Sequence, residues 1–264
     1  MRELLLIGIG TGNPRHLTQE AIDAIHHADV VLLPHKGRGK SELAQVRLGI
    51  LQTLGIAPEK LAHFDMPLRR QTGDDYGQQV QEWHAAIARR WADTLAAHTA
   101  ATPGAAAPHR VALLVWGDPA LYDSTLRIAA LLGLAPAQVR VVPGITAMQV
   151  LCSAHGIALN DVGAPFQVTT GRQLVEGGWP AGVDTLIVML DGQRAYEQVT
   201  EPEADIFWGA YLGMPQQLLM SGPLQAVKPH ISAERARARE QHGWIMDIYL
   251  LRRPRTTPPG DAAD

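Results

Sequence analysis

The 264-residue chain has one cysteine, no long apolar run and no excess of positive charge, and each shortage excludes a class of protein. A single cysteine cannot form a disulfide within the chain. Cys152 lies among apolar residues at helical spacing and reads as a buried core thiol. Lys and Arg number 23 against 26 Asp and Glu, a formal charge of −3, whereas a nucleic-acid surface shows a basic patch or stripe. No nucleic-acid partner is expected. No stretch approaches the ~20 apolar residues that span a bilayer, and the first residues enter a strand without a charged, apolar and cleavable leader. A cytoplasmic protein with no membrane contact is therefore expected. The eleven histidines show no ligand spacing with cysteine or each other, so no metal is expected.

What is present is a series of apolar strands that end in glycine. Leu5-Leu6-Ile7 runs into Gly8-Ile9-Gly10-Thr11-Gly12-Asn13-Pro14, followed by Thr18 as an N-cap for a helix over 19–28 and a strand over 30–34. Arg110 to Trp116 is a buried-type strand ending in Gly117-Asp118-Pro119. Val139 to Val142 ends in Pro143-Gly144-Ile145-Thr146-Ala147, with helical spacing through Met148, Leu151 and Cys152. In an open parallel sheet the carboxyl ends of the strands share one edge, so these turns can converge on one crevice. A nucleotide fingerprint is the first reading of the glycines. The spacing Gly8-x-Gly10-x-Gly12, the intervening Pro14 and the placement of the nearby acid Asp29 before the second strand all depart from it.

Along the chain, strand 4–9, a helix over 40–54, an irregular 56–74 and a helix with Val80, Trp83, Ile87, Trp91 and Leu95 on one face fill a first α/β domain over 1–160. Ala100 to Pro108 is a low-complexity loop that offers little to bury. Asn, Asp, Gly and Pro between Leu159 and Pro165 suit a linker. A second α/β domain over 161–253 holds strands at 166–170, 184–190, 206–212, 216–221 and 244–252 and a charged, solvated helix over 233–241. Residues 254–264 read as a disordered tail. The fold class is α/β: a mostly parallel open sheet followed by a mixed sheet, with the active site in the cleft between the two domains.

The ordered series Gly8 to Pro14, Ala28-Asp29-Val30-Val31, Gly117-Asp118-Pro119, Val142 to Ala147 and Gly156-Ile157-Ala158-Leu159 resembles the tetrapyrrole (corrin/porphyrin) methyltransferases over nearly the whole chain. Thr169-Thr170-Gly171-Arg172, Leu190-Asp191-Gly192, Trp208 to Pro215 and His242 to Asp247 add to the likeness. The resemblance implies S-adenosylmethionine as methyl donor, a homodimer, and precorrin-5 as substrate, methylated at C-1 with release of acetate. It places cofactor contacts at Thr11, Trp116, Gly117, Asp118, Leu121, Thr146, Ala147, Met189 and Leu212. Methyl transfer from an activated donor is a matter of positioning and needs no nucleophilic triad.

A substrate rich in carboxylates calls for guanidinium and ammonium groups. Arg172 leads, with Arg69, its neighbour Arg70 and Lys36 next. Relatives commonly carry an Asp after the second strand where this chain has Pro34 and His35, so His35 is the candidate for proton transfer. Rival readings are a methyltransferase acting on another ring carbon, a nucleotide-dependent oxidoreductase and a tetrapyrrole carrier.

Overall fold

β1 (Glu3–Gly8) is apolar at each position between Glu3 and Gly8 because it is covered on both faces. Leu5 and Ile7 point to one layer and Leu4 and Leu6 to the other, the period of two that a pleated strand imposes. The computed structural model describes residues 1–35, 41–68, 76–101 and 107–254. It divides into two units, Met1–Thr146 and the chain from Ala147 onward.

In the first unit β1 is followed by α1 (Gln19–His27), β2 (Val30–His35), α2 (Ser41–Thr53), β3 (Leu61–Asp65), α3 (Tyr76–Ala100), β4 (Arg110–Val115), α4 (Thr125–Ala130) and β5 (Val139–Val142). The five strands are parallel in the order β3-β2-β4-β1-β5. Residues of α1 and α2 such as Ile25 and Leu51 pack on one face, and Ile87 and Trp91 of α3 with Ile128 of α4 on the other. Thr18 caps α1, its hydroxyl oxygen accepting from Ala21 N–H at 3.0 Å. Asp29 accepts from the backbone N–H of His109 and Arg110, both at 2.8 Å, and so fixes the entry to β4. Strand order reverses beside β1, and the pairings Gly8 with Val115 and Ile7 with Val142 bring β1, β4 and β5 to the edge together. Such a reversal is where open α/β sheets hold ligands.

The second unit runs α5 (Ala147–His155), β6 (Phe166–Thr170), α6 (Gly171–Gly177), β7 (Thr185–Met189), β8 (Asp205–Ala210), β9 (Leu218–Pro223), α7 (Leu224–His242) and β10 (Asp247–Arg252). Its sheet has the order β6-β7-β10-β8-β9, with only β6 and β7 parallel.

Several expectations are corrected. The boundary falls at Thr146 rather than 160, because α5 packs on β8 and β10 and buries Val150, Leu151 and Cys152 there. Within the expected irregular stretch 56–74, Leu61–Asp65 is a strand whose inward residues are Ala62 and Phe64; two polar positions among five hid its alternation. The strand expected at 206–212 stops at Ala210, where Tyr211 turns the chain with φ of +50°. The strand expected at 216–221 is shifted to 218–223, and that expected at 244–252 starts at 247. The charged helix begins at Leu224 and carries Pro229 inside it, a residue that argues against helix by its missing N–H. The short helices α4 and α6 were not foreseen. Residues 102–106 of the low-complexity loop and 255–264 of the tail lie outside the described residues.

Candidate functional site

Three glycine loops meet backbone to backbone at the carboxyl edge of the first sheet. Gly10 and Gly117 form a two-residue bridge, Gly10 N–H donating to Gly117 C=O at 3.3 Å and Gly117 N–H to Gly10 C=O at 2.7 Å. A Cβ on Gly144 would lie 2.1 Å from the Gly117 carbonyl oxygen, and one on Gly8 would lie 2.6 Å from Gly144 N. Gly8 and Gly144 are thus required by loop-to-loop packing, whereas the sequence reading assigned the glycines to ligand approach. Gly117 differs. Its φ is +63°, and a Cβ there would meet only Thr146 Cα, at 3.9 Å, so one side of this residue is open. A floor of main chain with an open side at Gly117 and Thr146 suits a ligand held by backbone groups.

Asp118 locks the arrangement: one carboxylate oxygen accepts from Gly144 N–H at 2.8 Å and the other from Ala120 N–H at 2.7 Å. Leu121 closes this turn by donating its N–H to Asp118 C=O at 3.2 Å. Thr11 is buried, its hydroxyl paired with His16 Nδ1 at 3.2 Å. The Trp116 side chain turns toward Arg47, whose guanidinium lies 5.3 Å from its ring centre. Between Gly12 and α1 a short 3₁₀ turn over Pro14–His16 intervenes, so this turn does not open directly into a helix as a pyrophosphate-binding loop does.

His35 ends β2 on the same edge. Its Nε2 lies 2.7 Å from Nδ1 of His63, and the ring centres are 4.8 Å apart at an interplanar angle of 26°. The rings stack, and the two facing nitrogens form one N–H···N hydrogen bond whose donor is set by the tautomers. Burial, and then His35, push His63 below its ordinary value. His63 was not foreseen; only the parallel pairing of β2 with β3 brings it beside His35. Lys36, Arg69 and Arg70 lie outside the described residues.

In the second unit the motifs that carried the resemblance form one buried network. Asp191 accepts from Gln193 N–H at 3.0 Å, Ala195 N–H at 2.7 Å and Tyr249 O–H at 2.8 Å, and its carboxylate occupies the space a Cβ on Gly171 would need. Burial and then Asp191 hold the Tyr249 hydroxyl well above its ordinary value. Arg235 donates from Nε to Asp247 at 2.9 Å and from Nη2 to Asp191 C=O at 2.7 Å, while Trp208 donates its indole N–H to Asp247 at 3.0 Å. The Tyr211 hydroxyl donates to Trp244 C=O at 2.5 Å. Arg235 was missed, read as part of a solvated face. The buried spacing Ile231, Arg235, Ala238 was its available signal.

The remaining expected contacts fall unevenly on this frame. In Thr169-Thr170-Gly171-Arg172, Thr169 is buried, Thr170 caps α6 through Gln173 N–H at 3.3 Å, and Gly171 packs on Asp191. Arg172 is the exposed member, in the first turn of α6. Ala147 opens α5 and is half-buried. Met189 is half-buried at the end of β7, just before Leu190 turns with φ of +53°. Leu212 is 5 % exposed and lies over Gly209, where a Cβ would come within 2.7 Å of it, so its side chain is committed to packing and its backbone is what remains to offer. Among the described residues no group of three or more His, Cys, Asp or Glu is placed to hold a metal ion, and no helix is long and apolar enough to cross a membrane.

Residues 3–228 match the family model for tetrapyrrole (corrin/porphyrin) methylases. The chain belongs to the tetrapyrrole methylases. It is 45 % identical over 257 residues, covering 96 % of each chain, to a precorrin-6A synthase (deacetylating) of a Sinorhizobium species. Among solved structures, a cobalamin synthesis related protein of Corynebacterium diphtheriae superimposes with a TM-score of 0.77 at 38 % identity, covering 96 % of this chain and 98 % of that one. The uroporphyrin-III C-methyltransferase of Thermus thermophilus shares the tetrapyrrole methylase fold with a TM-score of 0.60 at 23 % identity, covering 95 % and 94 %.

Proposed function

We propose that this tetrapyrrole methylase transfers a methyl group from S-adenosylmethionine to C-1 of precorrin-5 and releases acetate, giving precorrin-6A. The observation that carries this reading is identity of 45 % across 96 % of both chains to a deacetylating precorrin-6A synthase. The main-chain floor at Gly8, Gly117 and Gly144 supports it, since its open side at Gly117 fits a cofactor recognised by backbone groups. When bound, S-adenosylmethionine supplies a methyl group already activated as a sulfonium. The protein's part is to orient and to exclude water.

Thr11, Trp116, Gly117, Asp118, Leu121 and Thr146 of the first unit, with Ala147, Met189 and Leu212 of the second, are the residues assigned to the cofactor. Arg172 orients the substrate through its carboxylates. In acetate release a water oxygen bonds to the acetyl carbonyl carbon, the bond from that carbon to C-1 breaks, and C-1 keeps the electron pair with which it bonds the transferred methyl group; both protons of the water are released. His35 Nε2 and His63 Nδ1 are bonded to each other, so the outer ring nitrogens, His35 Nδ1 and His63 Nε2, are the ones that take the water's proton, a task suited to an imidazole near neutral pH. The enzyme is assigned to the cytoplasm as a homodimer, without nucleic acid or membrane as partner.

Anaerobic incubation with precorrin-5 and methyl-labelled cofactor, followed by mass analysis, tests the reading. One labelled methyl in the product and one equivalent of acetate are expected. A methyl at another ring carbon, or a methylated product that keeps the acetyl group, overturns it.

A further inference from the structure

The first unit contains a cavity of about 260 Å³ beneath the carboxyl ends of β2, β3 and β4. Phe64, Met66, Ile87 and Trp91 give it apolar walls, and Arg47, Trp116 and Thr125 line it as well. An apolar pocket with a few polar groups is the usual form of a small-ligand site. The cavity adjoins the glycine floor through the chain itself, since Trp116 precedes Gly117.

Its polar groups are mostly donors. Arg47 donates from Nε to Leu114 C=O at 3.1 Å and lies over the Trp116 ring. Burial drives its guanidinium down to about 10, against an upward pull from Asp123. The indole N–H groups of Trp91 and Trp116 are buried with no hydrogen-bond partner among the described residues, whereas Trp83, also in the wall, donates to Pro67 C=O at 2.8 Å. A buried N–H without an acceptor is costly, and one that gains an acceptor recovers that cost. Among the described residues the one carboxylate in the wall, Asp123, is engaged by the backbone N–H of Thr125 at 2.6 Å and by its hydroxyl.

We propose that this cavity binds a short alkyl carboxylate, the acetate that the reaction releases, with its methyl group in the aromatic wall and its oxygens toward Arg47 and the Trp116 indole. The assignment of acetate rests on the deacetylating reading above; the selectivity for a small apolar anion rests on the cavity alone. At about 260 Å³ the space admits acetate or propionate and is too small to enclose a macrocycle. A side arm of a tetrapyrrole carries the same chemistry, so the test separates the two sources.

Indole N–H signals of the ¹⁵N-labelled full chain, assigned by Trp→Phe substitution, are followed during titration with sodium acetate, propionate and the neutral isostere acetamide. Saturable shifts of the Trp116 signal are expected with both carboxylates, with Trp83 unmoved and acetamide weaker by about tenfold or more, since the charge-assisted part is lost. Arg47→Gln should weaken acetate by a similar factor; if that variant does not fold, the acetate-to-acetamide ratio of the wild type decides alone. Equal binding of acetamide, or no saturable shift at Trp116, overturns the proposal. In turnover, acetate should inhibit without competing with the tetrapyrrole, and competitive inhibition would assign the pocket to a substrate side arm instead. Calorimetric titration of the same sample with S-adenosylhomocysteine reports separately on the methyltransferase reading.

Discussion

Gly144→Ala places one methyl group where three loops already touch. It would lie 2.1 Å from the Gly117 carbonyl oxygen and 2.8 Å from both Cα and C of Gly8. All three are main-chain atoms, so no side-chain rotation relieves the overlap and the loops must part. Overpacking of this kind costs about 1–3 kcal/mol. Parting them also strains the bond from Gly144 N–H to the Asp118 carboxylate, 2.8 Å long, a type worth about 1.5–3 kcal/mol. Together these give about 2.5–6 kcal/mol, which lowers Tm by roughly 5–24 °C for a protein near this size. Gly133→Ala is the control. Gly133 has φ of +69° but nothing within 4 Å of a Cβ, so only the left-handed strain of about 1–2 kcal/mol applies. Thermal unfolding by circular dichroism, with calorimetric titration of S-adenosylhomocysteine, makes the comparison. If Gly144→Ala melts within about 2 °C of Gly133→Ala, close packing does not explain why glycine is needed there.

Arg235→Leu leaves Asp247 buried without its cation and should cost about 3–5 kcal/mol; adding Asp247→Asn should recover part of it, and a strictly additive double-mutant cycle in urea would refute the coupling. Arg172→Ala should reduce kcat/KM for the tetrapyrrole by roughly ten- to hundredfold while cofactor affinity stays within about threefold; steady-state rates and titrations check both, and unaltered turnover removes Arg172 from the substrate role. His84 is buried, and its burial, then Arg127, holds its imidazole below the ordinary 6.5 against an upward pull from Asp123. The unfolded chain therefore takes up this proton first, so stability is full above pH 6.5 and is lost as the pH falls from there toward the folded value. His84→Leu should flatten the urea midpoint across that window; an unchanged slope would show that His84 contributes nothing to it.

The first sheet was legible because its central strands are buried on both faces and read as continuous apolar runs closed by glycine. β3 escaped because it alternates within five residues, and α6 because its helix is set by a Thr170 cap and by the fit of Gly171 on Asp191, a contact 20 residues distant. The edge on which the loops meet followed from strand order, but the reason for the glycines did not. Local sequence shows that Gly8 and Gly144 lack side chains; only the register of β1 with β5 shows that they touch each other. Arg235 and His63 illustrate the same limit. One is hidden in a charged helix and the other on the outward face of an alternating strand, and each acquires its role from a partner brought by tertiary packing.

The floor at Gly8, Gly117 and Gly144 also restricts how such a protein can change over generations. A surface made of peptide groups presents nearly the same face whatever the surrounding sequence, and two of its positions admit no residue but glycine without parting the loops. Variation that alters what this edge accepts must therefore arise on its borders, at residues such as Trp116, Leu121, Thr146 and His35, where a side chain can be exchanged without moving the main chain. Directed evolution toward altered methyl donors would gain most by randomising those borders and holding the three glycines fixed.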